Sequence, residues 1–324
     1  MHDRPHAPRL LPRLAESLLV RHYSPRTVEA YVAWVRRFVR HHGLRHPREL
    51  GAAEVGAFLS DLARRGRVSA STQNQALAAL RFLYHEVLGE PLAVLGTVVH
   101  AKRPRRLPVV LSRAEVRAVL AELRGPPALA AGLLYGGGLR LLEALTLRVK
   151  DVDVERGELR VRNGKGQKDR VTVLAAAAVD PLMAHLRLVR RQHARDLSAG
   201  AGRVALPGAL ARKLPAAAGT WAWQWVFPAA RQYVDRATGE RRRHHLHPSV
   251  LQRLVPEAAA RAGVEKRVTC HTFRHCFATH LLEDGYDIRT VQELLGHRDV
   301  RTTMVYTHVL NRGGRGVRSP ADVF

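Results

Sequence analysis

Cysteine is scarce in this sequence: Cys270 and Cys276 are the only two in 324 residues. Two thiols make no disulfide framework, so the chain reads as one held by its core in a reducing cytoplasm. Acidic residues are few as well. Asp and Glu number 28 against 53 Lys and Arg, a formal net charge of +25. A balance that basic points to a polyanionic partner. No apolar run reaches the roughly 18 residues of a bilayer span, so nucleic acid is favoured over a membrane. The opening M-H-D-R-P-H-A-P lacks the apolar core of a secretory leader. No internal repeat and no long low-complexity tract stands out. The length suits two domains, each able to bury its own core.

The first hundred residues read as helical. Ser24 before Pro25 is an N-cap followed by a residue suited to the first helical position. Val28, Tyr31, Val32, Val35, Phe38 and Val39 then form one apolar stripe, with Arg26, Arg36, Arg37 and Arg40 on the other faces. A second helix carries Val55, Phe58, Leu59 and Leu62. A third carries Leu77, Leu80, Leu83, Tyr84 and Val87 and ends near Gly89. A basic exterior of this kind touches phosphates as a set, although any single Arg can be a solvated face. Residues 100–108, H-A-K-R-P-R-R-L-P, form a basic linker whose prolines disfavour helix.

The stretch from Cys270 to Leu310 organises the rest. His271 and Arg274 lie three residues apart, on one face of a helix predicted over 271–283 and ended by Gly285. A second amphipathic run, Ile288, Val291, Leu294 and Leu295, stops at Gly296, with His297 next and Tyr306 nine residues on. An arginine fork matches two phosphate oxygens. Histidines move protons near neutral pH. A tyrosine oxygen can form a covalent intermediate. The spacing of His271 and His275 also fits a metal pair, but Thr272 stands where a metalloprotease has its Glu. A structural zinc site with Cys270 and Cys276 is the residual metal reading. The bland alternative makes His271 and Arg274 polar-face residues and Tyr306 core filler.

Between these ends, Ser112 and Glu115 form a capping box. A helix over about 127–135 meets Gly136, Gly137 and Gly138, which leaves a phosphate-cradling turn open, and Arg140 follows. Residues 157–174 read as a hairpin in which Leu159, Val161, Val171 and Val173 alternate with polar residues around N-G-K-G-Q-K-D. Asp180 and Pro181 are expected to start a long helix to about Asp196. Residues 197–247 then hold Trp221, Trp223 and Trp225, which either stack unpaired bases or line one face of a strand. A helix over 249–262 is expected to kink or break at Pro256.

H-T-F-R-H, L-L-G-H and Y-T-H at these separations resemble the tyrosine recombinases, or phage-type integrases. The run G-Y-D-I-R-T-V-Q-E-L-L-G-H and the tail G-G-x-G-V-R-S-P-A-D at 313–322 are most similar to integron integrases. The resemblance implies a mainly α fold with a small β-sheet or hairpin. It has an N-terminal helical core-binding bundle (1–99), the linker and an α+β catalytic domain (109–324) with an insertion at about 197–247. It implies catalytic roles for Arg140, Lys165, His271, Arg274, His297 and Tyr306, with Lys165 as the acid protonating the leaving 5′-oxygen, His271 helping to deprotonate the tyrosine or bonding the phosphate, and His297 adding a further hydrogen bond. Lys168 and Arg170 become phosphate contacts. Trp221, Trp223 and Trp225 become base-stacking candidates, and His244 and His245 a pair that touches an extruded base. The family often has a polar residue in the glycine turn, so three glycines are expected to loosen it. The implied partners are a duplex attachment site, a folded single-stranded hairpin site and three further copies of the chain in a tetramer. No metal, ATP, membrane or small-molecule substrate is implied, and the setting is the bacterial nucleoid. Two rivals stand beside this: a DNA-binding regulator on a decayed recombinase frame, and a Xer-like enzyme acting on duplex sites.

Overall fold

The computed structural model describes residues 10–90, 108–162, 169–309 and 321. The linker apart from Pro108, the tip of the predicted hairpin with Lys165 and Lys168, and nearly all of the tail after Val309 lie outside the described residues. The chain divides into two compact units, Met1–Arg106 and Leu107–Phe324.

The first unit is helical. It contains α1 (Leu10–Val20), α2 (Pro25–His41), α3 (Ala52–Arg64) and α4 (Ala70–Phe82), the last continued by a π-helical turn over Leu83–Leu88. Ser24 caps α2 by accepting the Thr27 N–H at 3.2 Å. Gly89 closes the last helix at φ +69°, a left-handed conformation suited to glycine. The apolar stripes read from the sequence meet in one core, where Val35, Phe38, Val55, Phe58 and Leu80 are buried.

The second unit opens with α5 (Arg113–Ala121), α6 (Gly125–Gly136) and α7 (Leu141–Leu145). The Ser112–Glu115 capping box is made: Ser112 Oγ accepts the Glu115 N–H, and Glu115 accepts the Ser112 N–H at 2.7 Å. Strands β1 (Val152–Asp153), β2 (Glu158–Val161) and β3 (Arg170–Val173) form an antiparallel sheet in that order. The register pairs Leu159 with Thr172 and Val161 with Arg170. This inverts the expected face of β3. Val171 and Val173 point outward at 46 % and 42 % exposure, while Thr172 is buried. Thr172 tolerates burial because its hydroxyl donates to the Gly137 carbonyl at 2.8 Å.

Helix α8 (Ala176–Ser198) begins before the predicted Asp180 cap and carries Pro181 inside it. The insertion follows, with the short α9 (Leu210–Lys213), two 3₁₀ turns, and the antiparallel pair β4 (Pro228–Val234) and β5 (Arg241–His245). Helix α10 (Pro248–Arg261) runs through Pro256 without the expected break. Its Leu251, Val255, Ala258 and Ala259 are buried on both sides of the proline, and that packing outweighs one missing hydrogen bond. Helices α11 (Cys270–Glu283), α12 (Ile288–Leu295) and α13 (Val300–Thr303) and a 3₁₀ turn over Met304–Val309 complete the described chain.

Helix α11 positions the site. Phe273 and Cys276 enter the larger core, while Phe277, Ala278 and Leu282 join Val291, Leu295 and Tyr306 in a smaller one. A helix buried this completely shows only a weak apolar stripe in sequence. Arg274 lies within it, wholly buried.

Candidate active site

Arg274 reaches the site through backbone carbonyls. Its Nη1 donates to Gly138 O, and its Nη2 to Leu295 O at 2.5 Å. The same Nη2 donates to His297 Nε2 at 3.2 Å. Its Nε has no hydrogen-bond partner among the described residues. Burial, and then the neighbouring Arg140, draw its pKa down to about 9, so it stays charged at neutral pH.

One carboxylate gathers the cations. Glu143, near the start of α7, accepts from Arg140 Nη1 at 2.7 Å and from the Arg140 backbone N–H at 2.8 Å. Arg170 grips it bidentately at 3.0 and 2.7 Å, and Arg274 lies 3.7 Å from it. Burial alone would raise the Glu143 pKa. The hydrogen bond and charge of Arg170, then Arg140, outweigh it and hold the carboxyl at about 2. Three guanidiniums around one carboxylate leave 3 − 1 = +2. Arg170 therefore departs from its expected role as a phosphate contact. Its fork is occupied by Glu143 and its Nε by Leu294 O at 2.8 Å.

The L-L-G-H corner has a steric reason. Gly296 sits at φ +63°, and a Cβ there would lie 2.7 Å from Arg170 Cδ. The turn delivers His297, whose Nδ1 lies 2.9 Å from the buried Thr303 hydroxyl. A guanidinium only donates, so Nε2 facing Arg274 accepts and Nδ1 carries the hydrogen. Burial, then Arg274, push the His297 pKa down to about 3.

Tyr306 closes the arrangement from the last 3₁₀ turn. It is 3 % exposed, its ring stacks 6.5 Å from that of His297, and its hydroxyl lies 2.8 Å from His275 Nδ1. Burial raises its pKa, opposed by Arg274 and Arg140. His271 is exposed at the start of α11, with its ring edge-on to His275 at 4.4 Å. Burial, then His271 and Arg274, lower the His275 pKa to about 4. Five of the six expected catalytic residues thus converge, and Lys165 is outside the described residues. Glu143, His275 and Thr303 were missed. Only the R-x-x-E spacing of Arg140 and Glu143, that of a capping box, marked one of them in sequence.

The glycine run is tightly packed and not loose. A Cβ on Gly137 would lie 2.9 Å from Val173 O, and one on Gly138 would lie 2.4 Å from Phe277. The cysteines are buried and carry free thiols, and burial raises both to about 11. Cys276 Sγ accepts the Leu111 N–H at 3.2 Å.

The three tryptophans do not alternate on a strand. Trp221 and Trp223 occupy a 3₁₀ turn, and Trp225 is buried beyond it. Between Trp223 and Trp225, Gln224 turns inward, and its amide donates to Gly202 O, Ala218 O and Thr220 O. Trp225 lies under Arg148, 3.1 Å from guanidinium carbon to ring centroid, and its Nε1 donates to Arg243 O at 3.2 Å. Trp221 packs against the main core. Trp223, half-buried, meets Lys150 Nζ at 3.0 Å from its ring centroid. On β5, His244 is exposed and stands 4.1 Å from His245 and 6.2 Å from Tyr233, centroid to centroid. Trp221 and Trp225 thus serve the core, while Trp223 is half-buried, His244 exposed and His245 half-buried. Arg243 ties this hairpin to α8 through a bidentate pair with Asp196 at 2.7 and 2.8 Å.

Two neutral buried imidazoles have a measurable consequence. His275 and His297 titrate below their ordinary value when folded, so the unfolded chain takes up their protons first. The stability they supply is complete above about pH 6.5 and is lost as pH falls toward 4 and 3. His297→Gln should flatten the decline in unfolding free energy between pH 6.5 and 5 by up to about 1.4 kcal/mol per pH unit. Urea titrations of the full chain across that range measure this. An unchanged slope would show that His297 is charged in the folded protein.

The chain as a whole has known relatives. Residues 110–312 match the Phage integrase family, and residues 10–94 match the family's N-terminal SAM-like domain. The chain belongs to this family, the tyrosine recombinases, enzymes that cleave and rejoin DNA site-specifically through a phosphotyrosine intermediate. An "Integrase/recombinase" of Escherichia coli is 50% identical over 314 residues, covering 97% of this chain and 93% of the relative. "Tyrosine recombinase XerA" of Thermococcus onnurineus is 34% identical over 292 residues, covering 88% and 86%. The XerH recombinase bound to a palindromic difH substrate shares the fold with a TM-score of 0.62 at 19% identity, over 92% of this chain and 81% of that one. A lambda integrase dimer on a core site does so with a TM-score of 0.61 at 17% identity, over 96% and 97%. Among the described residues no helix is long and apolar enough to cross a membrane.

Proposed function

We propose that this chain is a recombinase of the integron-integrase kind. It integrates and excises gene cassettes using a duplex attachment site and folded single-stranded hairpin sites. Its catalytic residues are Arg140, Lys165, His271, Arg274, His297 and Tyr306. The observation that carries the proposal is the cluster itself: a net charge of +2 around Glu143, beside a buried tyrosine hydroxyl.

The Tyr306 oxygen attacks the scissile phosphate, forms a 3′-phosphotyrosyl bond and frees a 5′-hydroxyl. Arg140 and Arg274 hold the non-bridging oxygens as charge builds on them, and one such donor is worth about 10²–10³ in rate. The unpartnered Arg274 Nε suits an incoming anion. Lys165 protonates the leaving oxygen. His271, exposed beside the cluster, bonds the phosphate, and neutral His297 orients Arg274. The phosphotyrosyl bond conserves the energy of the broken phosphodiester, so rejoining requires no ATP. Four copies assemble on two DNA sites, with the tail after Tyr306 docking on a neighbour.

The hairpin preference rests on the insertion. His244, His245 and Trp223 offer rings at which an unpaired base can stack, at about 1–3 kcal/mol per base. The 34% identity to XerA over most of the chain favours a second reading, action on duplex sites alone. Randomised pools of nicked duplexes and of folded single-stranded hairpins separate the two. Denaturant-resistant adducts are recovered from each, sequenced, and mapped on the protein by peptide mass. Adducts at Tyr306 from both pools are expected. Capture from duplexes only would leave the Xer-like reading standing, and adducts at another residue would remove Tyr306 as nucleophile.

A further inference from the structure

We propose that His275 is a catalytic residue of the cleavage step: it holds the Tyr306 hydroxyl and receives its proton as the oxygen attacks phosphorus. This rests on the reading of Tyr306 as the nucleophile.

The geometry is specific. His275 Nδ1 lies 2.8 Å from the Tyr306 oxygen, with ring centroids 5.5 Å apart. Among the described residues this is the only hydrogen bond of that hydroxyl, and His271 makes none to it. The two partners reach each other for local reasons. His275 follows Arg274 on α11, about 100° further round the helix. Arg274 therefore enters the core while His275 faces the turn that carries Tyr306. The pairing is tertiary, 31 residues apart in sequence.

The chemistry balances. The Tyr306 Oη–P bond forms and the Oη–H bond breaks, its proton passing to His275 Nδ1. The P–O5′ bond breaks, and the leaving oxygen keeps that electron pair and takes a proton from the general acid. In rejoining, His275 returns the proton to the departing tyrosine oxygen. A free Nδ1 lone pair is required, and His275 is neutral at working pH. A phenol is a better donor than a neutral imidazole, so the bond runs from Tyr306 to Nδ1. Burial and the positive Arg274 oppose an imidazolium at this place in the free enzyme. A phosphodiester held by Arg140 and Arg274 adds negative charge there and offsets them. His271, 4.4 Å away and exposed, offers the proton a way toward solvent.

The test is single-turnover adduct formation at saturating DNA, using a nicked duplex that carries the site recovered by covalent capture. His275→Ala removes the acceptor. His275→Asn keeps an amide oxygen that accepts the bond but cannot take the proton. Both variants are expected to bind the duplex like the parent and to form adduct at least about 100-fold more slowly. Added imidazole should restore part of the His275→Ala rate, which a purely structural role would not allow. The defect should persist on a substrate with a 5′-bridging sulfur, whose leaving group needs no protonation. His275→Asn cleaving within about threefold of the parent would overturn the proton-transfer role and leave a hydrogen bond alone. If His275→Ala fails to fold, the Asn variant decides alone. A parent that forms no adduct at Tyr306 would refute the nucleophile itself, a different failure from unimpaired His275 variants.

Discussion

Glu143→Gln is expected to slow strand cleavage by about 10²–10³ while leaving overall DNA affinity unchanged or raised. The carboxylate is the single anion among Arg140, Arg170 and Arg274, and it also caps the turn that places Arg140 through that residue's backbone N–H. Glutamine keeps the shape but removes the charge, leaving two deeply buried guanidiniums uncompensated. The side chains of Arg170 and Arg274 are only 9% and 1% exposed. Breaking a buried ion pair from one side costs about 3–5 kcal/mol. Tryptophan fluorescence during urea unfolding follows this, because Trp221, Trp223 and Trp225 lie in the catalytic unit and only Trp34 outside it. Cleavage at the parental rate would mean that the arginines are positioned by the backbone carbonyls alone.

Gly138→Val is expected to abolish cleavage and to destabilise the catalytic unit by several kcal/mol. Gly138 holds φ +60°, and its missing Cβ would lie 2.4 and 2.6 Å from the Phe277 ring and 3.1 Å from Leu295. A side chain here meets left-handed strain of about 1–2 kcal/mol and overpacking of about 1–3 kcal/mol. The functional effect follows from the same residue, because the Gly138 carbonyl accepts from Arg274 Nη1. Moving the turn moves the arginine. Gly138→Ala should show a smaller loss in both readouts. Gly132→Ala in α6, where an added Cβ meets nothing within 4 Å, is the control and should leave both unchanged. Normal cleavage by Gly138→Val would show that Arg274 is held independently of the turn.

Several elements were legible because their causes are local. The Ser112–Glu115 capping box, the Ser24 cap and the α12 stop at Gly296 each depend on neighbours in sequence. The errors have a common cause as well. Val171 and Val173 alternate with polar residues as read, but Thr172 takes the inner face because its hydroxyl finds the Gly137 carbonyl, 35 residues away. Pro256 was expected to kink or break α10, and with packing on both sides the helix runs through it unbroken. Arg170 was expected to wait for a phosphate, but Glu143, 27 residues away, takes its fork. The tryptophan alternation suggested a strand, whereas Gln224 turns inward between two of the rings.

By itself the sequence determined the helical elements, the basic character and the identity of the chemical groups. Periodicity, caps and charge count are properties of adjacent residues. Only the tertiary structure set what surrounds three chemically identical groups: the Arg170 fork and Nε are taken by Glu143 and Leu294 O, while Arg274 keeps an unpartnered Nε among the described residues. It also decided that Tyr306 meets His275, because a contact 2.8 Å long between side chains 31 residues apart is set by how α11 and the last turn pack.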